Sequence, residues 1–241
     1  MQHILIVKLG STLPDLAMRR GDFEDWVRAG LDVGPDRTAL VDPVVGEALP
    51  DSRRFAGVVV TGSHAMVTDR ADWSERTAAW LRDVVEAEVP LLAICYGHQL
   101  LAHATGGTVG NNPAGREFGT VAVRLDEASR TDPLFSTLPE RFDVQVCHTQ
   151  SALSLPPGAQ LLASSAREPH QAYRLGRYAW GVQFHPEFDV EVTRTYIRQR
   201  AADLRSEGQD PDKLAAGVRE APHGTAVLGS FGRLVRGGAI L

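Results

Sequence analysis

Cys95 stands in a setting that could support nucleophilic catalysis. It follows the apolar run PLLAI, which is typical of a buried strand, and residues with helical potential follow it immediately. A sharp turn from a strand into a helix exposes a side chain, and the positive end of the helix favours a thiolate there. Such a thiolate could attack a carbonyl carbon. We therefore predict that Cys95 is a nucleophile; the alternative is a buried, inert cysteine.

The segment WGVQFHPE, residues 180–187, supplies a base next to an acid. Its pattern predicts a strand that ends at His185, where Pro186 stops the ladder of hydrogen bonds. The imidazole of His185 could take the thiol proton and return it to a leaving group, while Glu187 could fix its tautomer and stabilise the imidazolium. A purely structural histidine beside a proline is the alternative interpretation.

Several elements must position these groups. Short apolar runs at 4–7, 58–61 and 91–95 predict buried strands, and apolar residues at helical spacing predict a helix over 73–88. The helix after Cys95 should run to the pair Gly106 and Gly107, which permits a left-handed cap. The second half is richer in strands, predicted at 119–125, 142–146, 160–163, 170–175 and 178–184, before helical spacing returns over 190–205. The segment 10–34 is expected to be a loop with a solvated, charged face.

These elements together predict an α/β fold, a three-layer sandwich with a mostly parallel central sheet and flanking helices. The nucleophile should lie at the C-terminal end of a strand. We expect residues 1–199 to form one domain and residues 200–241 to form a C-terminal helical extension.

Composition narrows the classes of function. The 241 residues include 25 basic and 30 acidic ones, a net charge of -5, without a basic run that would follow a phosphate backbone, so nucleic-acid binding is not expected. Two cysteines indicate free thiols in a reducing compartment. No apolar stretch is long enough to span a bilayer, so we expect a soluble, cytoplasmic protein without membrane contact. His64, His98 and His103 form no recognisable ligand set, and neither a metal nor a cofactor is expected.

AICYGHQLLA at 93–102 and GVQFHPE at 181–187 together resemble the class I glutamine amidotransferase family, which includes the glutaminase domain of GMP synthase. The resemblance covers most of the chain and implies a flavodoxin-like fold. It also implies that a cysteine attacks the glutamine carboxamide, that a γ-glutamyl thioester forms with release of ammonia, and that water hydrolyses the thioester. By this resemblance Cys95 is the nucleophile, His185 the base and acid, and Glu187 the residue that orients His185.

The segment VVVTGSH ends a predicted strand in a turn suited to offering backbone N–H groups to an oxyanion. The resemblance implies that the amides of Gly62 and Tyr96 bind the oxyanion together; alternatively, Gly62 simply permits a tight exit from the strand. In the segment REFG, Arg116 and Glu117 are expected to form a structural or surface ion pair.

Substrate contacts follow from the same resemblance. Gln99 lies one helical turn beyond Cys95, so its amide could hold the glutamyl group. Backbone groups at His148 and Thr149 are implied to meet the α-amino and α-carboxylate groups of glutamine. Gln150 stands where the family has an acidic residue, a departure that points to an altered γ-glutamyl substrate.

Three functions are consistent with the sequence. The first is hydrolysis of glutamine, with ammonia delivered to a separate acceptor or synthetase subunit, because no GxxxxGK nucleotide-binding loop is present. The second is a stand-alone γ-glutamyl peptidase acting on γ-glutamyl peptides. The third is an inactive binding or regulatory module, which the retention of all three candidate catalytic side chains disfavours.

Overall fold

A computed structural model of the protein describes residues 2–237. The strands are β1 (Ile4–Val7), β2 (Thr38–Val41), β3 (Gly57–Val60), β4 (Leu91–Ile94), β5 (Thr108–Asn111), β6 (Glu117–Leu125), β7 (Arg141–His148), β8 (Gln150–Ser154), β9 (Gln160–Ser164), β10 (Ala172–Leu175) and β11 (Ala179–Val182). The helices are α1 (Pro14–Arg20), α2 (Phe23–Gly30), α3 (Asp72–Glu86), α4 (Tyr96–Ala104), α5 (Val190–Gln199), α6 (Ala201–Ser206), α7 (Pro211–Ala216) and α8 (Pro222–Arg236).

A nine-stranded sheet forms the centre of the described part of the chain, in the order β2-β1-β3-β4-β11-β10-β9-β6-β7. The first five strands in this order are parallel, and the last four extend the sheet through antiparallel pairs. Strands β5 and β8 pair separately and antiparallel. The predicted α/β fold with its parallel central sheet is therefore confirmed, and hairpin-like strands widen it as the second half of the sequence indicated.

Helices cover both faces of the sheet. On β1, Ile4 and Ile6 pack on one face among residues of α2 and α8, while Leu5 and Val7 pack on the other among residues of α3 and α4. All four side chains are buried because successive residues of a strand point to opposite faces. Burying an aliphatic side chain of this size contributes about 1.5–3 kcal/mol. This double burial explains why the strands near the site are continuous apolar runs.

The segment 10–34 is not the loop that its sequence had indicated, because it contains α1 and α2. Asp22 begins α2 with a capping box, in which its side chain accepts from the N–H of Phe23 and its own N–H donates to Asp25. The apolar face of these helices packs against Phe188 and its neighbours. The segment therefore packs against the residues that follow β11, among them Phe188.

The C-terminal region contains α6, α7 and α8, and the single helix predicted over 190–205 is divided. Arg200, with φ -99° and ψ 15°, ends α5 and precedes α6. Further along, Phe231 of α8 is fully buried next to Trp180, with 6.4 Å between ring centroids. Residues 238–241 of the expected extension lie outside the described residues, and its boundary at residue 199 stays a prediction. Within residues 2–237, no helix combines the length and apolar composition needed to cross a membrane.

Candidate active site

Cys95 lies on the turn between β4 and α4, where the sequence predicted it. Its backbone has φ 50° and ψ -100°, a conformation that L residues rarely adopt. The N–H of Cys95 donates to the carbonyl of Val182 at 2.8 Å, and its carbonyl accepts from the N–H of Gln99 at 3.1 Å. Hydrogen bonds on both sides thus hold the strained conformation, which is common where a side chain must be presented to a ligand.

His185 and Glu187 form a buried pair just after β11. The Nδ1 atom of His185 lies 2.8 Å from Oε1 of Glu187, and the two side chains are 4% and 0% exposed. The main-chain N–H of His185 donates to the carbonyl of Gln145 at 2.8 Å. The imidazole is also close enough to Cys95 for the charge of that side chain to raise the pKa of His185, and the thiol itself donates to the carbonyl of Cys147 at 3.8 Å. Because Glu187 occupies Nδ1, the nitrogen that remains for the thiol is Nε2.

The protonation state of His185 follows from opposing effects. Burial lowers the pKa of its imidazole, but the negative charges of Glu187 and Cys95, with the hydrogen bond to Glu187, outweigh burial and raise the pKa to about 10. The site therefore favours an imidazolium at neutral pH. An imidazolium beside the sulfur stabilises a thiolate and can later supply a proton to a leaving group.

Aromatic residues that were not predicted from the sequence pack against the imidazole of His185. The ring of His185 stacks on Phe188, which stacks in turn on Tyr196 and Phe23. The hydroxyl of Tyr196 lies 3.0 Å from Nε2 of His64. The position of Phe188 directly after HPE was the available sequence signal, but only the fold shows which ring it touches.

Gly62 lies beside both reacting groups. A Cβ atom built on this residue would stand 3.2 Å from Cε1 of His185 and 3.7 Å from Cβ of Cys95. Tyr96 is the first residue of α4, where helices leave N–H groups without intrahelical partners. The turn after β3 and the start of α4 thus meet at the nucleophile, and the oxyanion roles of Gly62 and Tyr96 stay predictions.

A cleft of about 290 Å³ opens at the thiol. It is lined by Ser63, His64, Ala65, Met66, Cys95, Tyr96, Gln99, Arg116, Phe118, Cys147, His148, Thr149, Gln150, Tyr196, Arg200 and Asp203. A larger depression of about 610 Å³ lies over residues 124–140 and includes none of the predicted site residues, so volume alone does not locate the chemistry. Among residues 2–237, no cluster of three or more His, Cys, Asp or Glu side chains is arranged to hold a metal ion.

Gln99 and His148 line this cleft, and their side chains form hydrogen bonds with other groups of the protein. Nε2 of Gln99 donates to the carbonyl of Gln150 at 2.8 Å and to Oε1 of Gln183 at 2.9 Å. The ring nitrogens of His148 lie 3.0 Å from the carbonyl of Gln150 and 3.1 Å from Oε2 of Glu117. Because both ring nitrogens are engaged within the protein, a ligand at this position would meet backbone groups. The predicted substrate contacts of Gln99, His148 and Thr149 stay predictions.

Arg116 and Glu117 do not pair with each other, so that expectation was wrong. Arg116 pairs with Glu207 at 2.6 Å and with Asp203 at 3.4 Å. Glu117 is buried and accepts from His148 and also from Gln171, at 2.9 Å. Adjacent residues of an extended chain point to opposite sides, which separates the two charges.

Known proteins resemble this chain in sequence and in fold. A family model described as "Glutamine amidotransferase class-I" matches residues 45–203. The chain is 26% identical over 227 residues to a glutamine amidotransferase-like protein of Schizosaccharomyces pombe, covering 88% of this chain and 90% of that protein. It is 40% identical over 188 residues to the glutamine-hydrolyzing GMP synthase of Aeropyrum pernix, covering 76% of this chain. The chain spans about a third of that relative, 32% of its length.

Two further comparisons extend the picture. Gamma-glutamyl peptidase 5 of Arabidopsis thaliana is 28% identical over 184 residues, covering 74% of this chain and 73% of that protein. A crystal structure of a glutamine amidotransferase from Thermotoga maritima superimposes with a TM-score of 0.75 over 98% of both chains, at 22% identity, which shows a shared fold. With two thirds of its residues matched by the family model, the chain belongs to the class I glutamine amidotransferase family.

Proposed function

We propose that this chain hydrolyses the side-chain amide of glutamine to glutamate and ammonia through a thioester on Cys95. The observation that carries the proposal is the strained residue Cys95, whose thiol lines the cleft beside the buried imidazole of His185, which is itself paired with Glu187 at 2.8 Å. Membership of the family supports it, as does similarity to a GMP synthase named as glutamine-hydrolyzing.

The first half of the reaction uses the thiolate and the imidazolium. The sulfur of Cys95 attacks Cδ of glutamine, a C–S bond forms, and an electron pair moves onto the amide oxygen. The N–H groups of Gly62 and Tyr96 stabilise that negative charge. When the intermediate collapses, the C–N bond breaks and His185 gives its proton to the nitrogen, which leaves as ammonia.

The second half returns the enzyme to its starting state. The neutral imidazole of His185 takes a proton from water, and the resulting hydroxide attacks the thioester carbon. The C–S bond then breaks, glutamate leaves, and the Cys95 thiolate again faces an imidazolium that Glu187 stabilises. Ammonia could serve a separate acceptor or synthetase subunit, and the similarity to GMP synthase supports this part of the proposal.

A stand-alone γ-glutamyl peptidase is the second candidate. The similarity that covers 73% of gamma-glutamyl peptidase 5 favours it. The chemistry would be the same, except that the leaving group would be the amine of a peptide and not ammonia.

Release of ammonia and glutamate from glutamine by the purified chain tests the proposal. The Cys95→Ser variant should lose turnover while its circular dichroism spectrum stays unchanged; equal turnover in both proteins would disprove the proposed mechanism. A parallel panel of γ-glutamyl dipeptides separates the two enzymes, because preferred cleavage of dipeptides would identify a peptidase. No turnover of either glutamine or the dipeptides would favour an inactive binding or regulatory module.

A further inference from the structure

The two cysteines of the chain line the same cleft. Cys95 follows β4, Cys147 lies in β7, and both are free thiols. The reaction proposed above uses Cys95 and gives Cys147 no part. A second thiol beside a reactive one is significant because it can combine with the first after oxidation.

The two cysteines are in contact, although they are 52 positions apart in the sequence. Sγ of Cys95 lies 3.8 Å from the main-chain carbonyl oxygen of Cys147. Because a carbonyl oxygen and the Cβ atom of the same residue are about 3 Å apart, this sulfur lies within roughly 7 Å of Cβ of Cys147. The sulfur of Cys95 is therefore a neighbour of the residue that carries the second thiol, as a disulfide within one chain requires.

The alternation of β7 directs the side chain of Cys147 towards the cleft. Val146 belongs to the large core on one face of the sheet, and successive side chains of a strand point to opposite faces. On the other face, Cys147 packs against the cluster that contains Phe188 and against the cluster that contains Phe118, its partner across the strands. Its thiol therefore lies between the aromatic support of His185 and the open cleft.

The two thiols differ in their electrostatic surroundings. Burial raises the pKa of Cys147 and the negative charge of Cys95 raises it further, whereas Arg200 and Arg116 act to lower it. Cys147 therefore stays protonated, while the His185 imidazolium favours a thiolate at Cys95. Oxidants react with thiolates in preference to thiols, so Cys95 is the sulfur that reacts first. Once Cys95 is oxidised to a neutral group, its charge no longer opposes ionisation of Cys147.

We propose that a peroxide oxidises Cys95 to a sulfenic acid and that Cys147 then condenses with it, so that a disulfide blocks the nucleophile until a dithiol reduces it. Cys147 is then a resolving thiol, which protects Cys95 from irreversible oxidation. The inference goes beyond amide hydrolysis, because it depends on the two thiols and the imidazolium and on no substrate. In a reducing compartment such a disulfide would be transient, as regulatory disulfides usually are.

The two steps balance. In the first, the Cys95 thiolate attacks one oxygen of hydrogen peroxide, an S–O bond forms and the O–O bond breaks. The departing hydroxide takes the proton of the His185 imidazolium and leaves as water. In the second, the sulfur of Cys147 attacks the sulfenyl sulfur, an S–S bond forms and the S–O bond breaks. The hydroxide released takes the Cys147 proton and leaves as water. Peroxide thus accepts the two electrons that the sulfurs lose.

Mass spectrometry of the peroxide-treated chain tests the inference without requiring turnover. After treatment, remaining thiols are blocked and the protein is digested without reductant. We expect the peptides that contain Cys95 and Cys147 to be joined and the intact chain to lose the mass of two hydrogens. Dithiothreitol should then restore both thiols, measured by their alkylation with iodoacetamide.

The decisive variant is Cys147→Ser. Its sulfenic acid at Cys95 has no thiol to combine with, so further peroxide should convert it to the sulfinic acid, a gain of two oxygens. We expect the fraction of Cys95 that dithiothreitol recovers to fall at least about ten-fold. In Cys95→Ser, Cys147 should stay reduced at the same dose. Met66→Leu is the matched control, because Met66 is another sulfur that lines the cleft; this variant should form the disulfide as the parent does.

Three outcomes would overturn the inference. The parent could form the sulfinic acid at Cys95 while Cys147 stays free, the disulfide could join two chains, or neither cysteine could react with peroxide. The proposed function is decided separately by turnover of glutamine, so each result leaves it standing; a disulfide in a chain without turnover would support the inference alone. Thermal unfolding shows whether Cys147→Ser is folded, and if it is not, the peptides of the parent decide.

Discussion

The imidazole ring of His185 lies nearly parallel to the phenyl ring of Phe188, with 3.9 Å between the ring centroids and 16° between the planes. Phe188 is itself buried and stacks on Phe23 and Tyr196. The hydrogen bond to Glu187 restrains one edge of the imidazole, and the stack restrains its face. The two restraints together hold the ring towards Cys95.

Replacing Phe188 with leucine tests the second restraint. We expect kcat to fall about ten-fold or more, because a misplaced base loses its alignment with the thiol, and the free energy of unfolding to fall by about 1–2 kcal/mol. The matched control is Phe231→Leu, since Phe231 is equally buried but packs near Trp180. It should lose similar stability and keep kcat. Equal values of kcat in the two variants would show that the stack has no catalytic role.

Replacing Glu187 with glutamine tests the charge that maintains the imidazolium. Without the negative charge of Glu187, the lowering effect of burial on the pKa of His185 is less opposed. The pKa should therefore fall from about 10, and the ring should lose its proton at a lower pH. We expect kcat to fall by about 10²- to 10⁴-fold. Nitrogen-15 NMR of the labelled histidine rings, recorded from about pH 5 to about pH 10, measures the titration. The same titration in both proteins would exclude Glu187 as the source of the raised pKa.

Replacing Gly62 with alanine tests the turn beside the reacting groups. The new Cβ would lie 3.2 Å from Cε1 of His185, so either the imidazole or the backbone N–H must shift. We expect kcat/KM to fall by about 10²-fold, with a stability change within about 1 kcal/mol. Gly229→Ala in α8 is the control, because its Cβ would lie 3.3 Å from the flexible tip of Arg233 and at an ordinary contact distance of 3.7 Å from the carbonyl oxygen of Gly30. If both variants keep full activity, the added methyl group displaces neither the imidazole of His185 nor the backbone N–H of residue 62 enough to affect the reaction.

Acid stability should depend on His98, which is fully buried in α4. Burial lowers its pKa to about 3, whereas the unfolded chain binds the proton near the ordinary 6.5. Below pH 6.5 the unfolded state therefore holds more protons, so the free energy of unfolding falls as the pH drops towards 3. The slope is at most about 1.4 kcal/mol per pH unit for this group.

Denaturant unfolding across that pH range measures the effect. The His98→Gln variant should show a shallower slope than the parent, whereas the exposed His3→Gln control should keep the parent's slope. An unchanged slope in His98→Gln would mean that another group causes the acid sensitivity.

Features that depend on neighbouring residues were predictable. The predicted strand at 4–7 is β1 (Ile4–Val7), since four consecutive buried apolar residues give a clear signal. The turn at Cys95 follows equally directly, because an apolar strand runs without a break into a helix. The cap after α4 also occurs as expected, with Gly106 at φ 97°.

Features that depend on distant contacts were not predictable. The helices α1 and α2 mix charges with apolar residues whose partners, such as Phe188, lie far along the chain. A capping signal at Asp22, with Asp25 three residues later, could have revealed α2. The continuous helical spacing over 190–205 gave no sign that Arg200 separates two helices, or that it faces the cleft.

The place of β4 and β11 in the sheet has a consequence for motion. They carry Cys95 and His185 at their ends and lie side by side in the middle of the nine strands. Amide hydrogens in such strands exchange with solvent only when much of the molecule opens, whereas short helices at the surface open locally at little cost. We therefore expect amide hydrogens at the reacting end of the cleft, in β4 and β11, to exchange more slowly than those of α6 beside Arg200 at its outer end. The nucleophile and its base would then keep their alignment when α6 opens locally.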